Sequence, residues 1–166
     1  MSYQIRELLA ADEPIIWMML RHAAHEESVD AVRATLSLMP YAEHWGRKGD
    51  LGFGAFVGVE PAGAVWMRQW SAENQGYGFV REDIPELAIA LVPSYRGQGI
   101  GTALLTRLLE TAQTQHPAVS LSVRDRNPAL RLYERLGFAK VEGSDRPNRV
   151  GGMSFKMVRY FDSRLI

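Results

Sequence analysis

The sequence predicts a mixed α/β fold, and the order of its apolar runs carries this prediction. Short alternating or apolar runs typical of strands are interleaved with runs whose apolar residues recur at helical spacing. In the C-terminal half, a strand-like run (87–92), a glycine turn and a helical run (102–113) precede another strand-like run (118–123). This is the order of a β-α-β unit. Because the 166 residues show no repeat or composition break, we expect one domain over residues 1–166.

The first half predicts a strand, two helices and a hairpin. An alternating run over residues 3–7 indicates the strand, and Asp12 is expected to cap the first helix. Ser28 is expected to cap a second helix that extends to about residue 38 and is ended by Pro40. The hairpin strands are predicted at 52–60 and 63–70, with a tight turn at Pro61-Ala62, followed by a loop over 71–85.

The C-terminal third predicts one more helix and two more strands. The helix is expected to start near Asn127-Pro128 and to run to Leu136, with Gly137 as a left-handed cap. The two strands are predicted over residues 138–142 and 153–160.

Composition and charge exclude several classes of function. The formal net charge is zero and no lysine- or arginine-rich run is present, so no nucleic-acid partner is expected. Without cysteine the chain has no disulfide, thiolate nucleophile or cysteine-based zinc site. The longest strongly apolar stretch, 15–20, is too short to span a bilayer, and the N-terminus lacks the pattern of a secretory signal. We expect a cytoplasmic protein with no membrane partner.

The most informative motif is the glycine turn Arg96-Gly97-Gln98-Gly99-Ile100-Gly101. Alternating glycines let a backbone turn tightly and approach a ligand without obstruction by Cβ atoms. The helix that follows presents N–H groups without intrahelical acceptors, together with a partial positive charge. The turn is therefore typical of a site that binds a phosphate-like anion.

Three other interpretations of this turn are weaker. A Walker A loop requires lysine after its last glycine, where Thr102 stands. A dinucleotide fingerprint, Gly-x-Gly-x-x-Gly/Ala, requires a small residue at its last position. That position is Thr102 if the motif starts at Gly97 and Leu104 if it starts at Gly99. Asp125 does lie where a ribose-binding acid would be expected. The third is a turn that binds nothing.

Two sequence blocks resemble the GNAT superfamily of acetyl-CoA-dependent N-acetyltransferases. Residues 92–105, VPSYRGQGIGTALL, are similar to its acyl-CoA-binding motif, Arg/Gln-x-x-Gly-x-Gly/Ala. Residues 127–138, NPALRLYERLGF, resemble its Asn-x-x-Ala-x-x-x-Tyr-x-x-x-Gly-Phe segment, with the alanine shifted. The blocks have the family's order, and the resemblance covers about residues 86–142.

The resemblance implies a GNAT fold: a twisted, mostly antiparallel mixed sheet of about seven strands flanked by about four helices, with a central β-α-β acyl-CoA site. It also implies transfer of an acetyl group from acetyl-CoA to a primary amine of a small molecule or peptide by direct attack. Neither a metal nor a covalent enzyme intermediate is expected, and dimers are common in the family. The alternative is a non-catalytic acyl-CoA-binding sensor or partner-binding domain on the same fold.

The resemblance further assigns roles to individual residues. Tyr133 is expected to protonate the leaving thiolate, and Glu86 is the first candidate for the base that deprotonates the amine, with Glu82 and Asp83 as substitutes. Near the first helix, His22 and Glu26 are expected on one helical face, where they would belong to a solvated helix end or to the acceptor pocket. The residues expected to bind the cofactor are Ile89, Ala90, Leu91, Arg96, Gly97, Gln98, Gly99, Ile100, Gly101, Thr102 and Asn127.

Overall fold

The computed structural model describes residues 2–162, which form a mixed α+β protein with eight β-strands and four α-helices. This confirms the predicted fold class. The chain divides into two compact units. The first comprises the residues up to Arg68 together with Ala88–Leu109, and the second comprises Gln69–Leu87 and the residues from Glu110 onward.

The first unit contains the predicted N-terminal elements and the beginning of the β-α-β motif. Hydrogen bonding orders its strands β1-β2-β3-β4, and β1, β2 and β3 pair antiparallel. Its elements are β1 (Gln4–Glu7), α1 (Glu13–Ala23), α2 (Val29–Arg33), β2 (Leu51–Val57), β3 (Glu60–Arg68), most of β4 (Glu86–Leu91) and most of α3 (Ile100–Ala112).

The hairpin turn between β2 and β3 lies earlier than predicted. Gly58 adopts a left-handed φ of 62°, and the adjacent Val59 is 97% exposed. Pro61 lies inside β3, opposite Phe56 where the register shifts at a bulge. Because a bulge leaves a ladder position unpaired, it tolerates the missing N–H of proline. The predicted turn at Pro61-Ala62 is therefore wrong.

The helices of the first unit also differ from the prediction. Ser28 caps α2 as expected, with its Oγ accepting the Ala31 N–H at 3.0 Å. However, α2 ends at Arg33, and Pro40 lies inside a short 3-10 turn rather than ending the helix. Asp12 precedes α1 but does not cap it, because its carboxylate accepts the Leu9 N–H at 2.7 Å and pairs with Arg6.

A buried arginine joins β3 to the segment between α2 and β2. Arg68 is 1% exposed, and all five of its guanidinium N–H groups find acceptors. Two bonds go to the Asp50 carboxylate, both at 3.0 Å. The other three go to the carbonyls of Pro40, Glu43 and His44. A buried charge is tolerated when it is paired and fully hydrogen-bonded, as this one is.

The second unit contains the rest of the β-α-β motif and the C-terminal strands. Its elements are the start of β4, the end of α3, β5 (Ala118–Arg124), α4 (Leu130–Arg135), β6 (Ala139–Lys140), β7 (Arg146–Pro147) and β8 (Met153–Tyr160). β5 pairs antiparallel with β8 along its full length, and β6 and β7 both pair with β8. β4 pairs parallel with β5, with Glu86 opposite Ser120. The predicted strand over 138–142 shrinks to two residues, and β7 is the strand that was not predicted.

Within residues 2–162, no helix is long and apolar enough to cross a membrane.

Candidate active site

The glycine turn of the first unit has the geometry of an open anion cradle. Gly97 and Gly99 adopt left-handed φ angles of 74° and 84°, which strain any residue with a side chain. A Cβ atom on either glycine would meet no heavy atom of the described chain within 4 Å. The outer side of the turn is therefore open, and the glycines are required by backbone conformation rather than by crowding.

The start of α3 supplies hydrogen-bond donors next to this turn. The Ala103 N–H bonds to the Gly99 carbonyl at 3.1 Å, as in the first turn of an α-helix. The N–H groups of the three residues before Ala103 precede that bond, so helix geometry gives them no acceptor within α3. Arg96 adds a positive charge on the exposed side. This donor set fits the oxygens of a pyrophosphate.

The strand before the turn presents alternate backbone groups to its two edges. The Val92 N–H bonds to the Ala62 carbonyl of β3 at 2.8 Å. Since backbone groups two residues apart point to the same side of a strand, those of Ala90 also point to β3, and those of Ile89 and Leu91 point away from it. Of the three residues predicted to contact the cofactor arm, Ala90 therefore has its backbone directed to β3.

In the second unit, Tyr133 lies on α4 with its side chain buried at 6% exposure. Its ring packs edge-on against Phe138, with centroids 6.1 Å apart. Gly137, with a φ of 94°, ends the helix as predicted, and the Phe138 N–H bonds to the Tyr133 carbonyl at 3.0 Å. Burial raises the pKa of Tyr133 to about 12. The phenol is therefore a neutral proton donor at physiological pH.

Asn127 organises the turn that leads into α4. Its Oδ1 accepts the Ala129 N–H at 2.8 Å, and its carbonyl accepts the Leu130 N–H at 3.1 Å. Asn127 is not the N-cap that its place at the predicted helix start suggests, because α4 begins at Leu130 and Ala129 is its N-cap.

The Glu86 carboxylate is buried within the second unit, at 3% exposure. Its Oε1 accepts the Trp70 indole N–H at 2.8 Å and the Gly78 N–H at 3.0 Å. The substitutes for Glu86 are placed differently. Glu82 accepts the Ala72 N–H at 3.0 Å, and Asp83 forms an exposed pair with Arg81.

The prediction that His22 and Glu26 share one helical face is wrong. The helix ends at Ala23, so Glu26 lies beyond it and does not share a helical face with His22. His25 has a left-handed φ of 56°, which turns the chain at this point. Burial, followed by the positive charges of Arg21 and Arg96, lowers the pKa of His22.

Comparison with known families identifies the family of this chain. The model of the Acetyltransferase (GNAT) family matches residues 3–138, most of the chain. The chain belongs to the GNAT acetyltransferase family. The match includes the glycine turn, β4 and α4, so the resemblance of the two sequence blocks is confirmed at the level of the family.

Relatives of this GNAT chain agree in fold. The mycothiol acetyltransferase of Arthrobacter sp. (strain FB24) is 26% identical over 144 residues. That alignment covers 84% of this chain and 43% of the relative, so the chain spans less than half of the relative's length. A GNAT-family acetyltransferase from Streptococcus pneumoniae superposes with a TM-score of 0.72 at 20% identity, covering 96% of this chain and 99% of that one. A Salmonella typhimurium protein assigned as an acetyltransferase, solved with its cofactor acetyl-CoA, gives 0.71 at 19%, covering 98% and 96%.

The sequence analysis of this GNAT chain did not identify Gly63, which lies against β4, the strand before the glycine turn. A Cβ on Gly63 of β3 would lie 2.9 Å from the Ala90 carbonyl oxygen and 2.3 Å from Leu91 Cδ2. Gly63 therefore allows β3 and β4 to approach closely. Its position in an apolar strand pattern was the available signal, since glycine there often marks a close approach of backbones.

Proposed function

We propose that this chain transfers an acetyl group from acetyl-CoA to a primary amine by direct attack of the amine. The observation that carries the proposal is the open turn of residues 96–102, with two left-handed glycines leading into the donor-rich start of α3. Membership of the GNAT acetyltransferase family supports it.

The residues present fit acetyl-CoA as the acyl donor. The turn and the first N–H groups of α3 would hold the pyrophosphate, and Arg96 would add charge neutralisation. The backbone groups of Ile89 and Leu91 point away from β3 and would hydrogen-bond the amide-containing pantetheine arm as an added strand does. Asn127, whose Oδ1 is engaged by Ala129, would offer its amide N–H groups to the same arm. Bound in this way, acetyl-CoA supplies an acetyl group activated as a thioester.

Tyr133 is the proposed general acid, with its Oη donating a proton to the leaving sulfur. A buried phenol with a pKa of about 12 keeps its proton at every physiological pH. It is therefore in the correct protonation state before each turnover.

The assignment of Glu86 as the general base stays a prediction. Burial limits the access of an amine to this carboxylate, and two N–H donors already occupy its Oε1. The amine must still lose a proton before attack, since its reference pKa is about 10.4. Exchange with water is the alternative route for that proton.

Acetyl-CoA binding tests the cradle with a matched pair of variants. Gly99→Ala and Gly58→Ala each place a methyl group on a glycine with left-handed φ and no neighbour within 4 Å of the new Cβ. Both variants should lose about 1–2 kcal/mol of unfolding free energy through backbone strain. Calorimetric titration should show weaker acetyl-CoA binding for Gly99→Ala alone. Equal affinities for the two variants would contradict the cradle.

A further inference from the structure

A cavity of about 570 Å³ lies within the second unit, where the residues after α4 and the end of β8 line it together with Val80. Small-molecule sites in proteins occupy about 300–1,000 Å³, so the volume is that of a ligand site. None of the lining residues is among those that would hold acetyl-CoA or move a proton. The proposed acetyl transfer therefore does not explain this cavity.

The floor of the cavity is apolar. Val158 belongs to a small buried cluster, and Val80 and Val141 pack against that cluster. Val80 and Val141 are only half-buried, and both line the cavity. An apolar group placed on them removes this surface from water, which is favourable. The floor therefore fits a ligand with an apolar body.

Two cations line the same cavity, and they differ in whether an anion already pairs with them. Lys140 Nζ lies 3.1 Å from a carboxylate oxygen of Asp145, so its charge is compensated. Arg159 forms no ion pair with any carboxylate of residues 2–162. A half-buried guanidinium without a counter-ion favours an anionic group beside it.

The Arg159 side chain is held in one place, so its charge is presented at a defined point of the cavity. Its Nε donates to the Leu136 carbonyl at 3.0 Å, and its Nη1 donates to the Tyr160 carbonyl. Its guanidinium carbon lies 5.5 Å from the centre of the Phe161 ring. A Cβ on Gly137 would lie 2.5 Å from its Nε, so the side chain lies directly over this glycine. Two of the five guanidinium N–H groups are used in these bonds, which leaves three for an anion.

We propose that this cavity binds a small carboxylate with an apolar body, in addition to the substrates of the proposed acetyl transfer. The carboxylate pairs with Arg159, and the apolar body lies on Val80, Val141 and Val158. Because Arg159 is already ordered by its bonds to two carbonyls, little side-chain freedom is lost when the anion binds.

Three probes separate the contributions of charge and of apolar contact. 4-Phenylbutyrate has both an apolar body and a carboxylate, 4-phenylbutanol replaces the carboxylate by a hydroxyl group, and butyrate lacks the ring. Each is titrated into the full chain without acetyl-CoA or acceptor, and binding is followed by NMR at the amides of Gly137 and Val141. Arg159→Gln removes the charge. Arg131→Gln is the matched control, because Arg131 is an exposed arginine of α4 that does not line the cavity.

We expect 4-phenylbutyrate to bind the wild type with a Kd of about 1–5 mM, since a ligand of this size has few atoms to contribute. 4-Phenylbutanol and butyrate should each bind about five- to tenfold more weakly. Arg159→Gln should weaken 4-phenylbutyrate by the same factor and leave 4-phenylbutanol within about twofold. Arg131→Gln should bind all three probes as the wild type does.

Equal affinities of the wild type for 4-phenylbutyrate and 4-phenylbutanol would overturn the proposal, even if Arg159→Gln does not fold. So would an unchanged Kd in Arg159→Gln, or binding that leaves the Gly137 and Val141 signals unmoved. Signals that shift with protein concentration in the absence of any probe would show a second copy on this surface and would also overturn it. The result does not depend on whether the protein transfers acetyl groups, because neither substrate is present in the titration.

Discussion

Replacing Tyr133 with phenylalanine removes one hydroxyl and keeps the packing of the residue. The ring is 6% exposed and meets Phe138 edge-on, and both features are available to phenylalanine. The bond from the Phe138 N–H goes to the backbone carbonyl of residue 133 and is independent of the side chain. We therefore expect the unfolding free energy at neutral pH to change by less than about 1 kcal/mol.

The expected kinetic effect follows from the raised pKa. With a pKa of about 12, Tyr133 is more than three units less acidic than a thiol, whose reference pKa is about 8.5. Proton transfer from this phenol to a free thiolate is thus uphill, and the acid assists mainly as the sulfur charge develops. General acids contribute about 10²- to 10⁴-fold, and the mismatch places Tyr133→Phe at the lower end, about 10²-fold in kcat.

The same pKa predicts a difference in alkaline stability. The folded value of about 12 lies above the unfolded value of about 10. The contribution of Tyr133 to stability is therefore complete below pH 10 and is lost as the pH rises through 12. Two units correspond to roughly 3 kcal/mol. Urea unfolding at pH 9 and pH 12 should show this extra loss in the wild type and not in Tyr133→Phe.

The kcat of Tyr133→Phe is measured by thiol release from acetyl-CoA, and its Kd for acetyl-CoA is measured by calorimetry. The Kd should stay within about twofold of the wild-type value, because the hydroxyl acts on the leaving group and not on binding. Tyr160→Phe, on β8, is the control tyrosine and should retain kcat. An unchanged kcat in Tyr133→Phe would refute its role as the acid. Equal alkaline destabilisation of the two proteins would refute the pKa argument.

Three further substitutions test how the fold supports the site. Gly63→Ala brings a Cβ within 2.9 Å of the Ala90 carbonyl oxygen, so it should cost about 1–3 kcal/mol in urea unfolding and weaken acetyl-CoA binding; unchanged binding would contradict the close approach of β3 to β4. Arg68→Met leaves the Asp50 carboxylate buried without its cation, and we expect a loss of about 3 kcal/mol; a Tm within one degree of the wild type would contradict it. Gly137→Ala strains a φ of 94° at the end of α4 and should cost about 1–2 kcal/mol by calorimetry, whereas a stabilised variant would refute the strain.

Local sequence patterns correctly predicted those elements whose formation is determined by residues close in sequence. β8 has its predicted bounds, the strand-turn-helix order around the glycine turn is present, and Gly137 ends α4 with a left-handed φ. In each case the signal is contained in a few consecutive residues, such as alternation, a cap or a glycine at a helix end. The family resemblance also rested on two short, continuous blocks.

The remaining features depend on partners distant in sequence. Glu86 interacts with Trp70 and Gly78, and Gly78 interacts with Ser120, 42 residues away. The family resemblance offered Glu86 as a candidate base at the start of a strand but carried no information on these partners. Arg68 similarly bonds to carbonyls 24 to 28 residues away. Such networks form only when the fold brings these segments together.

Acceptor-dependent thiol release from acetyl-CoA by the wild-type chain tests directly whether the protein is an N-acetyltransferase. The panel should contain polyamines, aminoglycosides, amino acids and peptide N-termini, with mass spectrometry of each product and Gly99→Ala as the binding-defective control. We predict thiol release that requires a primary amine, yields a product acetylated once on nitrogen, and falls in Gly99→Ala. Tight binding of acetyl-CoA without transfer to any amine would contradict catalysis and favour an acyl-CoA sensor. Absence of binding would contradict the assignment of the 96–102 turn itself.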